Sequence, residues 1–288
     1  MIDPIAVRLG PIQIHWYGIA IATAALAGAL LASAEARRRG ENPDHAWGLL
    51  LWTLVFGIAG ARLYHVIHMW SYYSQHFDLI PQIWRGGLGI PGAIAAGAVT
   101  VWVYARVNRI SPLRWLDIAA PAMLLAQAIG RFGNFVNQEL YGPPTTLPWG
   151  IPIDAAHQIL YPNAAPGTRF HPLFAYEALL NLIGMALILY VGRRFARRLY
   201  DGDIVLLYFV WYGAVRSGLE WMRTDNWFIG PLPAAVWLGV LAMIGAAALL
   251  VLRHVKGWGT PGAWHDREGA MPGDDTAPAP AEPTRQPG

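Results

Sequence analysis

The sequence contains no cysteine and almost no lysine. Without Cys, the chain has no disulfide, no thiolate-held metal or iron–sulfur site and no cysteine nucleophile of its own. Lys256 is the one lysine, so 20 of the 21 basic residues are Arg. Charged residues make up only 14% of the 288 residues, whereas 55% are hydrophobic. Such a charge-poor composition argues against a soluble domain and indicates a chain embedded in a lipid bilayer.

Aromatic and basic residues support this interpretation. The 14 Trp and 12 Tyr exceed what a soluble core needs, and such side chains commonly anchor at lipid headgroups. A net charge of +3 would be compatible with nucleic-acid binding. The arginines, however, cluster beside apolar runs, where they orient membrane spans. We therefore expect a lipid bilayer as partner and no nucleic acid.

Seven stretches are apolar and long enough, or nearly so, to cross a hydrocarbon core, which takes about 20 helical residues. We expect an all-α, polytopic integral membrane protein with about seven transmembrane helices in a domain spanning residues 1–256. Residues 257–288 are rich in Pro, Ala, Gly and Asp and are predicted to form a disordered cytoplasmic tail. The predicted spans are 16–34, 46–64, 88–105, 116–136, 174–191, 204–221 and 234–252.

The Arg pattern predicts the orientation of these spans. Loops that stay in the cytoplasm are enriched in basic residues. Basic clusters follow the first, third, fifth and seventh spans, which places the N-terminus outside and the C-terminus in the cytoplasm. The clusters are Arg37, Arg38 and Arg39; Arg106, Arg109 and Arg114; Arg193, Arg194, Arg197 and Arg198; and Arg253 with Lys256.

Two predicted spans carry polar side chains in an ordered pattern. An ionisable group inside a span costs about 2.5 to 3.5 kcal/mol on insertion scales, so it needs an explanation. Helical spacing puts each set on one face, and a planar guanidinium matches phosphate oxygens. With a helical rise of about 1.5 Å per residue, Arg131 and Arg216 are expected to lie in the outer half of the bilayer. The phosphate of an outer-leaflet lipid could bind there. The sets are Gln127, Arg131, Asn134 and Gln138, and Arg216, Glu220 and Arg223.

Structural roles remain open for several of these residues. Arg216 and Glu220 could form a plain i, i+4 ion pair. Asn134 and Asn137 could hydrogen-bond between helices, as amides often do in membrane bundles. Arg62, near the outer end of the second span, could extend its charge to the interface. Arg131, which two glycines flank closely in an amide-rich face, is harder to explain structurally.

Residues 130–142 read G-R-F-G-N-F-V-N-Q-E-L-Y-G. This stretch resembles the signature G-R-x-G-N-F-x-N-x-E-x-x-G of prolipoprotein diacylglyceryl transferases at every fixed position. Similar landmarks run through residues 10–255, including H-W-Y-G at 15–18, G-A-R at 60–62 and W-R-G-G at 84–87. The others are Asp117 with Pro121, His171-Pro172, Tyr176-Glu177, and Arg216, Glu220 and Arg223.

The resemblance implies transfer of the sn-1,2-diacylglyceryl group of phosphatidylglycerol to the lipobox cysteine of a prolipoprotein signal peptide. The products are a thioether and glycerol phosphate, and the enzyme is a multi-pass protein of the bacterial plasma (inner) membrane. Arg131, Arg216, Glu139 and Tyr17 take catalytic roles in this comparison. Implied substrate contacts are Arg131, Asn134, Asn137, Gly142, Glu220, Arg223, Arg62, His171, Tyr176 and Glu177.

This chain departs from the family pattern at two positions. Pro91 stands where the family often carries a His that is a candidate base, and Phe174 replaces a usual Gln. Either another group, such as Glu139 or Glu220, accepts the thiol proton, or neighbouring Arg lowers the thiol pKa enough without a base. We expect no metal, because the histidines of the outside loops show no metal-binding spacing such as H-E-x-x-H. We also expect no cofactor.

Two rival functions use the same residues differently. An anion transporter or channel would use the buried arginines as a selectivity site, and would show transmembrane flux without a covalent product. An intramembrane hydrolase is disfavoured by the absence of Cys and of a Ser–His or paired-Asp pattern. Formation of a diacylglyceryl adduct discriminates the transferase from both.

Overall fold

The structure is a computed structural model that describes residues 3–10, 12–223 and 226–259. Seven long helices and one single-turn helix dominate it. Most of the predicted C-terminal tail, residues 260–288, lies outside the described residues. The helices are α1 (Trp16–Arg38), α2 (Asp44–His68), the short α3 (Trp70–Tyr73), α4 (Ile90–Val107), α5 (Pro112–Val136), α6 (Leu173–Arg194), α7 (Asp203–Glu220) and α8 (Ala234–Lys256).

Six short strands correct the expectation of an all-α fold to a mostly helical one. Each pair forms a local antiparallel hairpin next to or between helices, where the extended backbone can pair with itself. Strands of two to five residues are too short to give a clear alternating pattern, so the sequence did not predict them. The pairs are β1 (Ile5–Leu9) with β2 (Ile12–His15), β3 (Ile151–Pro152) with β4 (Arg169–Phe170), and β5 (Phe228–Ile229) with β6 (Leu232–Pro233).

Helix α5 is the centre of the bundle and packs against α1, α6 and α7. On one side, Leu124 is fully buried in a cluster with Ile204 and Tyr208 of α7. On another side, Trp115 and Ile118 pack against small residues of α1 and α2. The helix begins with a Ser111 cap, whose hydroxyl accepts from the Arg114 N–H.

Five of the long helices are long and apolar enough to cross a bilayer by length and composition: α1, α2, α4, α6 and α8. Large apolar side chains are exposed on their outer faces, for example Leu238 at 71%. Such a surface would be unfavourable in water and suits lipid. The remaining two helices, α5 and α7, are those that carry the ordered polar residues, and they lie deeper in the bundle.

Buried carboxylates join the helices at the end of the bundle opposite the signature sequence. Glu35 of α1 is 2% exposed and accepts hydrogen bonds from Arg38 and from Arg193 of α6. Several of the arginines from which the orientation of the spans was predicted are thus also ion-paired. Pairs such as Glu35 with Arg193 could not be predicted from the sequence because the two partners lie on different helices, far apart along the chain. The other carboxylates are Asp117, bonded to the N–H groups of Gly202 and Val205, and Asp203, bonded to Arg253 and His254.

Candidate active site

Arg131 lies in the last two turns of α5 and bridges two helices. Its Nη1 donates to Oδ1 of Asn134 at 3.1 Å, a contact that the i, i+3 spacing makes possible. Its Nη2 forms an ion pair with Glu177 of α6. These contacts engage two of the five N–H donors of the guanidinium, and 23% of the Arg131 side chain is exposed. The Arg131 guanidinium is therefore held in place by protein contacts and is still accessible to a ligand.

Asn134 extends this arrangement to Glu139. Its side-chain amide donates to Oε1 of Glu139 at 2.7 Å, and its backbone carbonyl accepts from the Glu139 N–H at 3.0 Å. Asn134 is 6% exposed, so both of its side-chain contacts are made in a largely dehydrated setting. Arg131, Asn134 and Glu139 thus form one continuous hydrogen-bonded chain at the end of α5.

Tyr17 packs on the signature sequence at Gly133. A Cβ atom at Gly133 would lie 2.4 Å from Cδ2 of Tyr17, which shows that the ring rests on the bare backbone of α5. Gly130, one turn earlier, faces open space within 4 Å. One glycine of the motif is therefore needed for close approach of α1, and the other is not.

This contrast predicts opposite outcomes for two alanine substitutions. Gly133→Ala should displace the Tyr17 ring and lower stability by about 1–3 kcal/mol, the usual cost of overpacking. Gly130→Ala, the matched control, should be neutral or slightly stabilising because Ala favours a helix over Gly by about 1 kcal/mol. Thermal unfolding in detergent measures both. Equal melting temperatures for the two variants would contradict the assigned contact.

A second cationic group lies on α7. Arg216 forms an ion pair with Glu220 at 2.9 Å, and Arg223 lies 4.0 Å from the same carboxylate oxygen. Glu220 is 3% exposed, whereas the two arginine side chains are 22% and 19% exposed. A narrow cleft runs between α6, α7 and the loop after α5. It is lined by Leu140, Tyr141, Leu173, Phe174, Glu177, Arg216, Leu219 and Arg223.

Glu177 connects the two cationic groups. It pairs with Arg131 from α5, and it lines the same cleft as Arg216 and Arg223. Pairwise contacts and this shared cleft thus link three guanidinium groups with the carboxylates of Glu177, Glu139 and Glu220, whose formal charges balance. Cations held this way can bind a phosphate only if it takes the place of a carboxylate or uses N–H donors that the carboxylates do not engage.

His171 and Tyr176 form a separate hydrogen-bonded group. Nε1 of Trp149 donates to the Tyr176 hydroxyl at 2.7 Å, and that hydroxyl lies 2.9 Å from Nδ1 of His171. The His171 carbonyl accepts from the Gly142 N–H at 2.8 Å. A Cβ at Gly142 would lie 3.1 Å from that of His171, so the last glycine of the signature allows this close approach. Trp149 was not predicted from sequence.

The segment between α5 and α6 has a small core of its own, formed by Tyr141, Ile153 and Phe170. The Tyr141 hydroxyl donates to the His157 carbonyl at 2.9 Å and accepts from the Leu160 N–H at 3.2 Å. Burial raises the pKa of this phenol, and the Leu160 hydrogen bond partly opposes that rise. Tyr141 therefore acts as a neutral anchor beside the cleft.

Two predicted substrate contacts, Arg62 and Asn137, make hydrogen bonds to the backbone. Arg62 is 7% exposed, and its guanidinium donates four hydrogen bonds to the loop after α3. The acceptors are the backbone carbonyls of Leu79, Ile80, Gly86 and Gly87. The Arg62 guanidinium thus holds this loop against α2. Asn137 caps the C-terminus of α5, where its N–H donates to the Gly133 carbonyl.

The two departures from the family pattern have structural explanations. Pro91 lies in the first turn of α4, a position that suits its fixed φ and missing N–H. Phe174 is 7% exposed, and its ring packs 5.5 Å from that of Phe135 in the signature. Within the described residues, no group of three or more His, Asp or Glu side chains is placed to hold a metal ion.

Comparison with known proteins identifies what the chain resembles. Residues 4–252 match the family model described as prolipoprotein diacylglyceryl transferase. A phosphatidylglycerol–prolipoprotein diacylglyceryl transferase of Lactococcus lactis subsp. cremoris is 43% identical over 256 residues, covering 88% of this chain and 96% of the relative. The corresponding protein of Pediococcus pentosaceus is 39% identical over 254 residues, covering 88% and 91%. The resemblance inferred from residues 130–142 is thereby confirmed.

Proposed function

We propose that Arg131 and Arg216 drive the reaction of this chain by binding the phosphate of phosphatidylglycerol, since the chain belongs to the prolipoprotein diacylglyceryl transferase family. The chain is a transferase of lipoprotein biosynthesis that moves a diacylglyceryl group from phosphatidylglycerol to a prolipoprotein. The acceptor is the thiol of a lipobox cysteine in the signal peptide. This chain lacks Cys, so the thiol comes from the partner.

The reaction moves negative charge from sulfur to phosphate. The thiolate attacks the glyceryl carbon that carries the phosphoester, a C–S bond forms, and the C–O bond to phosphate breaks. The electron pair of that bond stays on the departing oxygen, so the phosphodiester monoanion becomes a glycerol phosphate dianion. Preorganised donors that favour this dianion over the intact ester accelerate the step, whereas equal binding of both would not.

The observation that carries the proposal is the convergence of two helices on Glu177. Arg131 of α5 pairs with this carboxylate, and Arg216 of α7 lines the cleft that the carboxylate also lines. A lipid phosphate that displaces Glu177 from Arg131 would lie within reach of both cations. Guanidinium groups keep their charge and offer parallel N–H donors to phosphate oxygens, which suits them to this role.

Neighbouring cations also activate the acceptor thiol. A free thiol with a pKa near 8.5 is a few per cent ionised at neutral pH, and nearby Arg groups lower that pKa. Glu139 or Glu220 then accepts the proton, since Pro91 has no group that could. Tyr17 lies against Gly133, one residue before Asn134, and is proposed to contact the substrates from the α1 side.

The remaining substrate contacts are proposed in two groups. Arg223 helps to bind the phosphate, whereas Asn134 orients Arg131 and Glu220 orients Arg216. Gly142, His171 and Tyr176 shape the wall of the peptide path on the outer side, and Asn137 ends the helix that supports it. Arg62 acts on substrates only through the loop that it holds by its four hydrogen bonds.

All seven long helices are proposed to span the bacterial plasma membrane, with the N-terminus outside and residues 257–288 as a cytoplasmic tail. The burial of α5 and α7 supports their inclusion, because polar residues in a span are tolerated when they face the bundle interior. Five helices that are long and apolar enough to cross a membrane support a multi-pass protein. Labelling single cysteines introduced at either end of the chain, in intact spheroplasts, tests the orientation.

The reaction is tested with purified protein, phosphatidylglycerol vesicles and a lipobox peptide. Mass spectrometry should show the diacylglyceryl adduct on the Cys peptide, together with one glycerol phosphate per adduct. A peptide with Ser in place of Cys is the matched control and should stay unmodified. Anion flux across vesicles without an adduct would favour the transporter instead.

A further inference from the structure

Two residues with left-handed backbone conformation flank Glu139. Gln138 has φ 51° and Leu140 has φ 56°, and both carry a side chain that disfavours positive φ. The family signature leaves position 138 variable, so motif matching draws no attention to it. Strained residues of this kind persist where the surrounding structure holds them, and they cluster at functional sites.

The strained turn is the C-terminal cap of α5. The Glu139 N–H donates to the Asn134 carbonyl at 3.0 Å, and the Gln138 N–H donates to the Phe135 carbonyl at 3.2 Å. This paired pattern is the Schellman motif, in which the first residue after the cap is left-handed and usually Gly. Here Gln138 occupies that position. The turn brings Glu139 back over Asn134, where the side chains of the two residues meet.

Gln138 is held by a reciprocal pair of hydrogen bonds to Asp154. Its Nε2 donates to Oδ2 of Asp154 at 2.6 Å, and its Oε1 accepts from the Asp154 N–H at 2.7 Å. Asp154 lies just after β3, and its carbonyl accepts from the His157 N–H at 2.8 Å. The clamp therefore anchors the end of α5 to the small folded segment between α5 and α6.

We propose that Gln138 and Asp154 are positioning residues that hold the α5 cap in its left-handed turn and thereby place Glu139 on Asn134. Asn134 in turn holds Arg131 at 3.1 Å. The inference rests on the proposed site, because it gives Glu139 and Asn134 their geometry. Neither clamp residue needs to touch substrate. Misplacement by about 1 Å is enough to lower turnover by about 100-fold in some enzymes.

The test uses glycine, which adopts positive φ without strain. Gln138→Ala removes the clamp and keeps a Cβ, and kcat should fall about tenfold with KM little changed. Gln138→Gly also removes the clamp but favours the turn by itself, and kcat should stay within about twofold of the parent. Equal loss in both variants, or no loss in either, would overturn the proposal.

Asp154 completes the cycle. Asp154→Ala alone should lower kcat about fivefold, and the same change added to Gln138→Gly should lower it no further, because the clamp is already gone. Independent, multiplicative losses would overturn the coupling. The circular dichroism and melting temperature of each variant are measured alongside, and kcat is expressed per folded protein.

Two further variants test whether the loss of turnover is specific to the α5 cap and to Glu139. Arg109 is another left-handed residue, with φ 57°, and lies just after α4. Arg109→Ala should leave kcat per folded protein unchanged, whatever its effect on the melting temperature. A fall in kcat like that of Gln138→Ala would overturn the specific role of the α5 cap. Glu139→Gln tests the site assignment directly. Full activity there would refute the role of Glu139, and with it the positioning that depends on it.

Discussion

Arg131→Ala is expected to lower turnover by about a thousandfold or more, while the protein still folds and inserts. The guanidinium is oriented by Asn134 and Glu177, so it is preorganised for charge that develops on the phosphate. Removing one neutral donor of that kind typically costs a factor of about 100 to 1,000. A charged donor in a water-poor site should cost at least as much. Adduct formation on the lipobox peptide, followed by mass spectrometry, gives the rate.

Controls decide whether such a loss is specific. Arg106→Ala removes the same side chain at the other end of the bundle, where it lies beside Trp102, and should leave the rate unchanged. Arg131→Lys keeps the charge but loses the planar fork, and an intermediate rate is expected. Near wild-type turnover of Arg131→Ala would remove this residue from its assigned role.

Much of the bundle could be predicted because apolar length and Arg placement are local properties of the sequence. The span expected at 204–221, for example, differs by a single residue at each end from α7 (Asp203–Glu220). Helical spacing likewise predicted that Arg131 and Asn134 share a face, and the two are hydrogen-bonded. Motif resemblance then supplied the family, which periodicity alone could not.

Contacts between distant segments were the part that the sequence could not predict. Arg131 and Glu177 lie on different helices, and Gln138 meets Asp154 across a loop of fifteen intervening residues. No repeat or spacing encodes such pairs, because they depend on how helices and loops pack. Arg62 shows the same limit: its carbonyl partners exist only once the loop has folded back on α2.

Arg216→Ala is the second substitution with a large expected effect, about 100- to 1,000-fold in turnover. Its effect is harder to interpret than that of Arg131→Ala, because the buried Glu220 carboxylate, 3% exposed, would lose its 2.9 Å ion pair with Arg216. Breaking a buried ion pair from one side can cost about 3–5 kcal/mol of stability. A low rate could therefore reflect unfolding rather than lost catalysis.

The double variant Arg216→Gln with Glu220→Gln separates these effects, since it removes both charges and leaves no buried carboxylate unpaired. It should recover the melting temperature of the parent and still be nearly inactive. Combining Arg216→Ala with Arg131→Ala provides the sharper test. If both cations stabilise one departing phosphate, the double loss should be far smaller than the product of the single losses, because either removal already disables the shared site. Multiplicative losses would instead mean that the two arginines act on different groups, and the convergence on Glu177 would then not be a single anion site.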